Sequence, residues 1–521
     1  MTEEVIKMRS PYHGVSPPFT LPSNIVYFHD WRYVDTGSFA WLGSDGEQPP
    51  MFGQDPFPTM HLEYRDMPLG IRIVAQPATI GEPVVTADDS GTAFLMAATV
   101  MRDEGKFRLW YECVPIDDLT GRAGVTNLLR YAESEDGVEW QMPSLRQVEF
   151  RGSRDNNIAY GGSLTPGRGY HGGCVFKDPS APPEERYKIF HLGTLSFEEF
   201  EEYRRRWPED VDPRAVREER KEAWGLWGGV SPDGLRWTPL PEPLSVQNSD
   251  TLNVCTYDPL RGKYVAYMRT WYFGRRTIGR AETDDFRHFP LPDELFWPDG
   301  NMPPSDTWYA NGKTTMPDAP EYHVMFPLHW ILPEDRFQCH LAASPDGIVW
   351  GFVPGGAIVT PGRRGSWNYG GGGAGIGLVE LPGERMGVLV NGFAYPHKHP
   401  RRPPYGKMAW AWWRKGRLTA LQSPRDGSFS LYPLRFEGNR VALNFRTEAT
   451  GFIKVEARDE SNSPLPARTF ADCDYINGDS LSHVVTWRGE PNLGHAPGSA
   501  VRLAFQTRCA ELFSVRFVRD E

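Results

Sequence analysis

The sequence predicts an all-β fold: a five-bladed β-propeller followed by a β-sandwich, with a short helical insertion in the second blade. Three observations point there. A strand, a tight turn and a second aromatic strand recur five times along the chain. Four of these units end in nearly the same tag: Ser-Glu-Asp-Gly-Val-Glu-Trp at 134–140, Ser-Pro-Asp-Gly-Leu-Arg-Trp at 231–237, Thr-Asp-Asp-Phe-Arg-His-Phe at 283–289 and Ser-Pro-Asp-Gly-Ile-Val-Trp at 344–350. Asp-Gly favours a tight turn, because Gly takes positive φ without strain and Asp bonds its own backbone. The Trp that follows is expected to pack over the turn as a plug between units. Finally, 53 Gly, 47 Pro and 13 % aromatic residues suit a turn-rich β protein.

In chain order, residues 1–75 are irregular and rich in Pro and aromatics, and read as an arm wrapping the propeller. Residues 76–425 read as the five blades, with hairpins at 102–111, 177–190, 257–267, 316–326 and 381–390. Helical spacing and mixed charge at 197–207 and 212–224 mark the insertion, in the position of a lid or an oligomer contact. The fifth unit lacks the tag and carries Trp-Ala-Trp-Trp-Arg-Lys-Gly at 410–416, as terminal repeats often differ. Residues 426–521 alternate in short strands and read as the β-sandwich.

Composition narrows the function. A net charge of −11 argues against nucleic acid or an anionic membrane surface as the main partner. No apolar run is long enough to span a bilayer, and the first residues lack a secretory apolar core, which predicts a cytoplasmic protein unless a leader lies outside the sequence given. The six cysteines are scattered without a C-x-x-C pair and read as buried thiols, not as a zinc site. The expected partner is an oligosaccharide or glycoside, and a homo-oligomer is compatible with the pattern.

A five-bladed propeller followed by a sandwich resembles glycoside hydrolase family 32, and the propeller is shared with families 43, 68 and 130. The resemblance rests on repeat and domain order and on the segments 249–269 and 501–514, and the family's motifs are departed from. Lys177-Asp178-Pro179 stands where family 32 has Arg-Asp-Pro, and Glu112-Cys113 matches its Glu-Cys dipeptide but precedes the Asp-Pro. The family's opening Trp-Met-Asn-Asp-Pro-Asn-Gly block is absent, so fructosidase activity does not carry over. The resemblance implies carbohydrate chemistry in an axial funnel. It brings no cofactor and no metal site, although a structural cation on the axis is compatible with such an architecture.

Glycoside cleavage needs two carboxyl groups across the anomeric carbon. In these families they project from the innermost strands, so acids at the start of each blade's first strand are the candidates. Asp250 and Asp306 each sit in a Ser-Asp-Thr triplet that opens a blade, and they are the expected acid/base pair. Glu82 is a weaker third. Glu112 ends an apolar run and reads as an ordinary strand-edge residue. Candidate sugar contacts are Asp30, His171, Arg269, Tyr309, His329, Trp367 and Asn368. Asp30 next to Arg32 also suits a plain ion pair. The expected activity is hydrolysis of a terminal sugar, of which a furanoside is one candidate; the alternatives are an inverting phosphorylase resembling family 130, with Arg269, Arg275 and Arg276 as its phosphate cradle, and a non-catalytic glycan-binding propeller. The glycines of 370–375 read as small residues where backbones crowd, not as a phosphate loop. His397 and His399 lie in a Pro-rich loop and read as solvated.

Overall fold

The computed structural model describes residues 17–43, 46–47, 61–87, 92–115, 127–298, 302–398 and 406–519; the first sixteen residues and His399 lie outside them. The described residues are nearly all β, with a single α-helix. Sheet I is formed by Thr92–Asp103, Lys106–Pro115, Leu128–Ser134 and Ile158–Tyr160. Sheet II contains His171–Lys177, Tyr187–Ser196 and Glu222–Ser231, with two short edge strands. Sheet III contains Val254–Asp258, Lys263–Tyr272, Arg275–Thr283 and Asp293–Phe296. Each is antiparallel, and middle strands such as Lys106–Pro115 are buried on both faces, which is why they read as unbroken apolar runs.

The fourth unit is interrupted midway. Thr307–Ala310, Leu328–Ile331 and Arg336–Cys339 form one part, and Thr314–Met316, Ala319–Met325, Ala342–Ser344 and Gly351–Phe352 the other. The break falls at Asn311, whose side-chain amide leaves its own sheet to donate to the carbonyls of Leu252 (2.8 Å) and Tyr267 (3.2 Å) on sheet III.

Sheet V combines Val379–Leu381, Arg385–Gly392 and Lys407–Arg414 with Thr79–Thr86, a strand from near the start of the chain. This explains the missing fifth tag: the last unit takes its outermost strand from the N-terminal side and needs no closing hairpin. It also corrects the expectation for Glu82, which lies exposed on that outermost strand, not at the start of sheet I's first strand.

The first strands of successive sheets are linked in a closed circuit. Val175 N–H meets Thr99 Oγ1 (3.2 Å) between sheets II and I, and Asn253 N–H meets the Gly172 carbonyl (2.7 Å) between III and II. Leu378 N–H meets Thr314 Oγ1 (3.2 Å) between V and IV, and reciprocal bonds between Ala98–Val100 and Ile376 join V back to I. Backbones are closest here. A Cβ on Gly372 would collide with the Asn391 carbonyl oxygen, which accounts for the glycine there.

The tags have one geometry. In 134–137, 231–234 and 344–347 the Ser hydroxyl accepts the Gly N–H (2.8–2.9 Å), and the Asp carboxylate accepts the next two backbone N–H groups. Each turn then presents its Gly carbonyl to the preceding sheet in the circuit. Trp410 Nε1 donates to Gly137 O (2.7 Å), Trp110 Nε1 to Gly234 O (2.8 Å) and Tyr267 OH to Gly347 O (2.7 Å). Trp237 packs edge-on against Tyr160 of sheet I in the cluster that also holds Trp110, and Trp350 packs edge-on against Tyr267 of sheet III.

The helix, α1 (Phe197–Arg206), begins directly after the second strand of sheet II with a Ser196/Glu199 capping box, and it buries Phe200 and Tyr203. The expected second helix at 212–224 does not form. Pro213 starts a 3₁₀ turn capped by Asp212, and Val216–Arg217 pairs back onto sheet II across a left-handed Lys221.

Beyond sheet V the chain enters a six-stranded sheet in which Arg440–Arg458 and Arg502–Val518 pair along nearly their whole lengths, shifting register between Thr447 and Phe452. This sheet starts with Thr419–Ser430, before the expected boundary at 426, because that strand pairs with Arg502–Val518. Its other members include Ile25–Tyr27 and Arg72–Ala75. The N-terminal residues thus supply strands to the C-terminal sheet as well as packing around the rest.

Candidate functional site

Antiparallel pairing sets the start of each first strand beside the end of the second strand. At that end, here called the mouth, sheets I to III converge on one charged chain. Glu112 comes from the end of sheet I's second strand, His171 opens sheet II, and Asp250 precedes the first strand of sheet III. His171 Nδ1 lies 2.8 Å from Glu112 Oε1, and its Nε2 lies 2.8 Å from Asp250 Oδ1. Arg269, from the second strand of sheet III, donates to Asp250 Oδ2 (2.5 Å). Its other terminal nitrogen meets the carbonyls of Thr251 and Tyr309, each at 2.5 Å, and the guanidinium lies 4.1 Å from the Tyr309 ring centroid.

Burial in this chain is graded. Glu112 is wholly buried, and it also accepts the Gly172 N–H (2.7 Å) and the Asn127 side-chain amide. The side chain of Asp250 is 33 % exposed, so its carboxylate is the point where the chain meets solvent. Burial alone would raise the Asp250 carboxyl, but Arg269, then His171, then Arg276 outweigh it and hold it far below the usual carboxylate range. Burial alone would likewise make His171 neutral, but Glu112 and Asp250 drive its pKa up to about 10. Asp250 is therefore a fixed carboxylate and His171 a fixed cation at neutral pH.

Asp306 opens the fourth unit beside this cluster. Its Oδ2 lies 3.0 Å from His329 Nε2, its Oδ1 accepts the Ser305 hydroxyl (3.0 Å), and its backbone carbonyl accepts from Arg275. Among the described residues no hydrogen bond joins Asp306 directly to Asp250. Tyr309, on the strand that Asp306 precedes, accepts from Arg269 through its backbone carbonyl, and its hydroxyl lies 3.2 Å from His397 Nε2. His397 is buried, so the loop that carries it packs on the site instead of being solvated.

The sequence candidates thus divide. Asp250, His171, Arg269, Tyr309, Asp306 and His329 are brought together at the mouths of sheets II to IV. Trp367 and Asn368 precede sheet V, where the Asn368 carbonyl closes a local turn with Gly371 N–H (2.9 Å) and Trp367 borders a cavity of about 340 Å³ with Tyr395 and Lys407. Asp30 is not brought to the cluster; it forms a bidentate pair with Arg32, which lies over the Tyr322 ring. Glu82 is on the outer rim, as described above. The turn acids Asp178 and Asp258 cap local backbone N–H groups, and Asp178 also pairs with buried Lys188 (3.0 Å).

Sequence reasoning undervalued Glu112 and passed over Asn127. The available signal was burial: a carboxylate in the otherwise apolar stretch Trp-Tyr-Glu-Cys-Val at 110–114 must be paired to be tolerated. The partner, His171, lies in another repeat and leaves no mark in local sequence.

No family model matches the chain, and no curated protein matches it. Among solved structures it is similar to an N-acetylgalactosamine deacetylase from F. plautii in complex with blood group B trisaccharide, at 11 % identity and a TM-score of 0.42 over 66 % of this chain and 94 % of that one. A GH32 β-fructofuranosidase from Bombyx mori aligns at 9 % identity and a TM-score of 0.41, covering 84 % of this chain and 94 % of its own. A β-1,2-mannobiose phosphorylase from Listeria innocua aligns at 13 % identity and a TM-score of 0.42, covering 66 % and 98 %. Likeness at this level assigns neither a reaction nor a substrate.

Proposed function

We propose that the chain is a glycoside hydrolase that removes a terminal sugar at the mouth shared by sheets II to IV. In this reading the sheets are the five blades of a propeller, the fourth bent at Asn311, and the C-terminal sheet is a sandwich folded about its register shift. The observation that carries the proposal is the chain Glu112–His171–Asp250–Arg269. It spans three blades, is buried at one end, and exposes a single permanently ionised carboxylate. A carboxylate held far below its usual pKa cannot act as a general acid. Asp250 is therefore the nucleophile or base facing the anomeric carbon, and the Asp306–His329 pair is the source of the proton for the leaving oxygen. Arg269 and His171 hold Asp250 in place, so little reorganisation is needed when charge develops on the sugar.

The phosphorylase alternative is less well supported, because the forks of Arg269 and Arg275 are already committed to Asp250 and to backbone carbonyls. The test is a panel of aryl glycosides and short oligosaccharides, with and without phosphate, on wild type, Asp250→Asn and Asp306→Asn. Cleavage lost in both variants supports the reading. Undiminished cleavage in both removes the site assignment, and turnover only with phosphate replaces hydrolysis by phosphorolysis.

A further inference from the structure

Arg276 stands at the same mouth and, beyond its field on Asp250, has no part in the chemistry above. It is the second residue of the third strand of sheet III, directly across from Trp271 in register. Its guanidinium is enclosed by three rings, at 5.1 Å from Trp271, 5.4 Å from Trp330 and 5.6 Å from Tyr309. Its Nε is buried without a hydrogen-bond partner. Burial and the neighbouring Arg269 charge press its pKa down, and the field of Asp250, a carboxylate already bonded to His171 and Arg269, does not offset them.

Each nearby carboxylate is engaged elsewhere. Asp250 is taken by His171 and Arg269, and Asp306 by His329 and Ser305. Asp335 accepts from the Trp330 indole and from the Lys398 N–H. A partly buried guanidinium whose donors lack an anion is costly in the resting protein and is relieved by a ligand that brings one.

Building on the hydrolase reading, we infer that the substrate's terminal sugar carries a carboxylate, and that Arg276 is the residue that recognises it. One uncommitted planar fork suits the two oxygens of a carboxylate. A phosphate would call for several free cations, and the neighbouring Arg269 and Arg275 forks are occupied. The rings of Trp271 and Trp330 lie near the guanidinium and partly shield it, which strengthens the pair relative to an open surface site. The substrate class is therefore a glycan ending in an acidic sugar.

Calorimetry separates this inference from the reading it builds on. Glucuronic acid, galacturonic acid, glucose, galactose and inorganic phosphate are titrated into wild type, Arg276→Gln and Arg276→Lys. The acidic sugars are expected to bind at least about tenfold more tightly than their neutral counterparts, from one charge-assisted pair. Arg276→Gln should abolish that preference, and Arg276→Lys, which keeps the charge but loses the fork, should retain part of it. Equal affinity for acidic and neutral sugars overturns the inference, as does a preference that survives in Arg276→Gln. Arg276-dependent binding of phosphate tighter than that of the uronic acids also overturns it. Arg276-dependent uronate binding without cleavage of any uronide would sustain the subsite while refuting hydrolysis. Cleavage of neutral glycosides untouched by Arg276→Gln would do the reverse.

Discussion

Replacing His171 by Gln tests the electrostatic core of the site. In the folded protein His171 keeps its proton up to a pH of about 10, against 6.5 for an unperturbed imidazole. Below 6.5 the folded and unfolded chains both hold the proton, so the stabilisation is fully present. Between 6.5 and about 10 only the folded chain holds it, so stability falls as pH rises, by up to about 1.4 kcal/mol per pH unit. From pH 7 to 9.5 this amounts to about 3 kcal/mol from one residue. His171→Gln removes that pH dependence. At pH 6.5 it should also be destabilised by about 3–5 kcal/mol, because wholly buried Glu112 loses its cation. The double variant with Glu112→Gln should recover part of that loss, since it removes the stranded charge as well. Denaturant unfolding at several pH values, on wild type minus variant, isolates the contribution of His171 from all other titrating groups. Parallel pH profiles for wild type and His171→Gln would refute the claim that the imidazole is a fixed cation.

Asp250→Asn should lower turnover by about 10²- to 10⁴-fold, read on whichever glycoside the panel identifies. Glu82→Gln, on the exposed outermost strand of sheet V, should leave activity intact and shift stability by no more than about 0.5 kcal/mol in thermal unfolding. Gly372→Ala should yield little folded protein, because its Cβ would collide with the Asn391 carbonyl, and soluble yield reads this directly. Trp410→Phe strands the buried bond to the Gly137 carbonyl and should cost about 1–3 kcal/mol in denaturant unfolding, with no change in substrate affinity.

The all-β character was legible because it is local. Asp-Gly turns and alternating aromatics are written within each repeat, and the Ser-x-Asp-Gly tags form one geometry wherever they occur. The positions of Asp250 and Asp306 followed from the same logic, since each precedes the first strand of its unit in an equivalent place. What could not be read depends on partners far away in sequence. The role of Glu112 needs His171 from the next sheet, and the place of Glu82 depends on its strand pairing with Lys407–Arg414. The segment at 212–224 has helical spacing, yet pairing with sheet II overrides it. The tags carry a further role that spacing cannot express: each Gly carbonyl takes a hydrogen bond from an aromatic of the preceding sheet.

The pairing of Thr79–Thr86 with the last strand of sheet V has a consequence for how the molecule is made. Two early strands, Arg72–Ala75 and Thr79–Thr86, enter different sheets, and both of their partners lie beyond residue 400. On the ribosome these strands emerge more than 300 residues ahead of their partners. The nascent chain must therefore carry two open β-edges through most of its synthesis, the condition in which edge strands recruit other chains. Completion of sheet V is a late event in the life of this polypeptide, and a chain halted before residue 407 lacks the strand on which Thr79–Thr86 pairs.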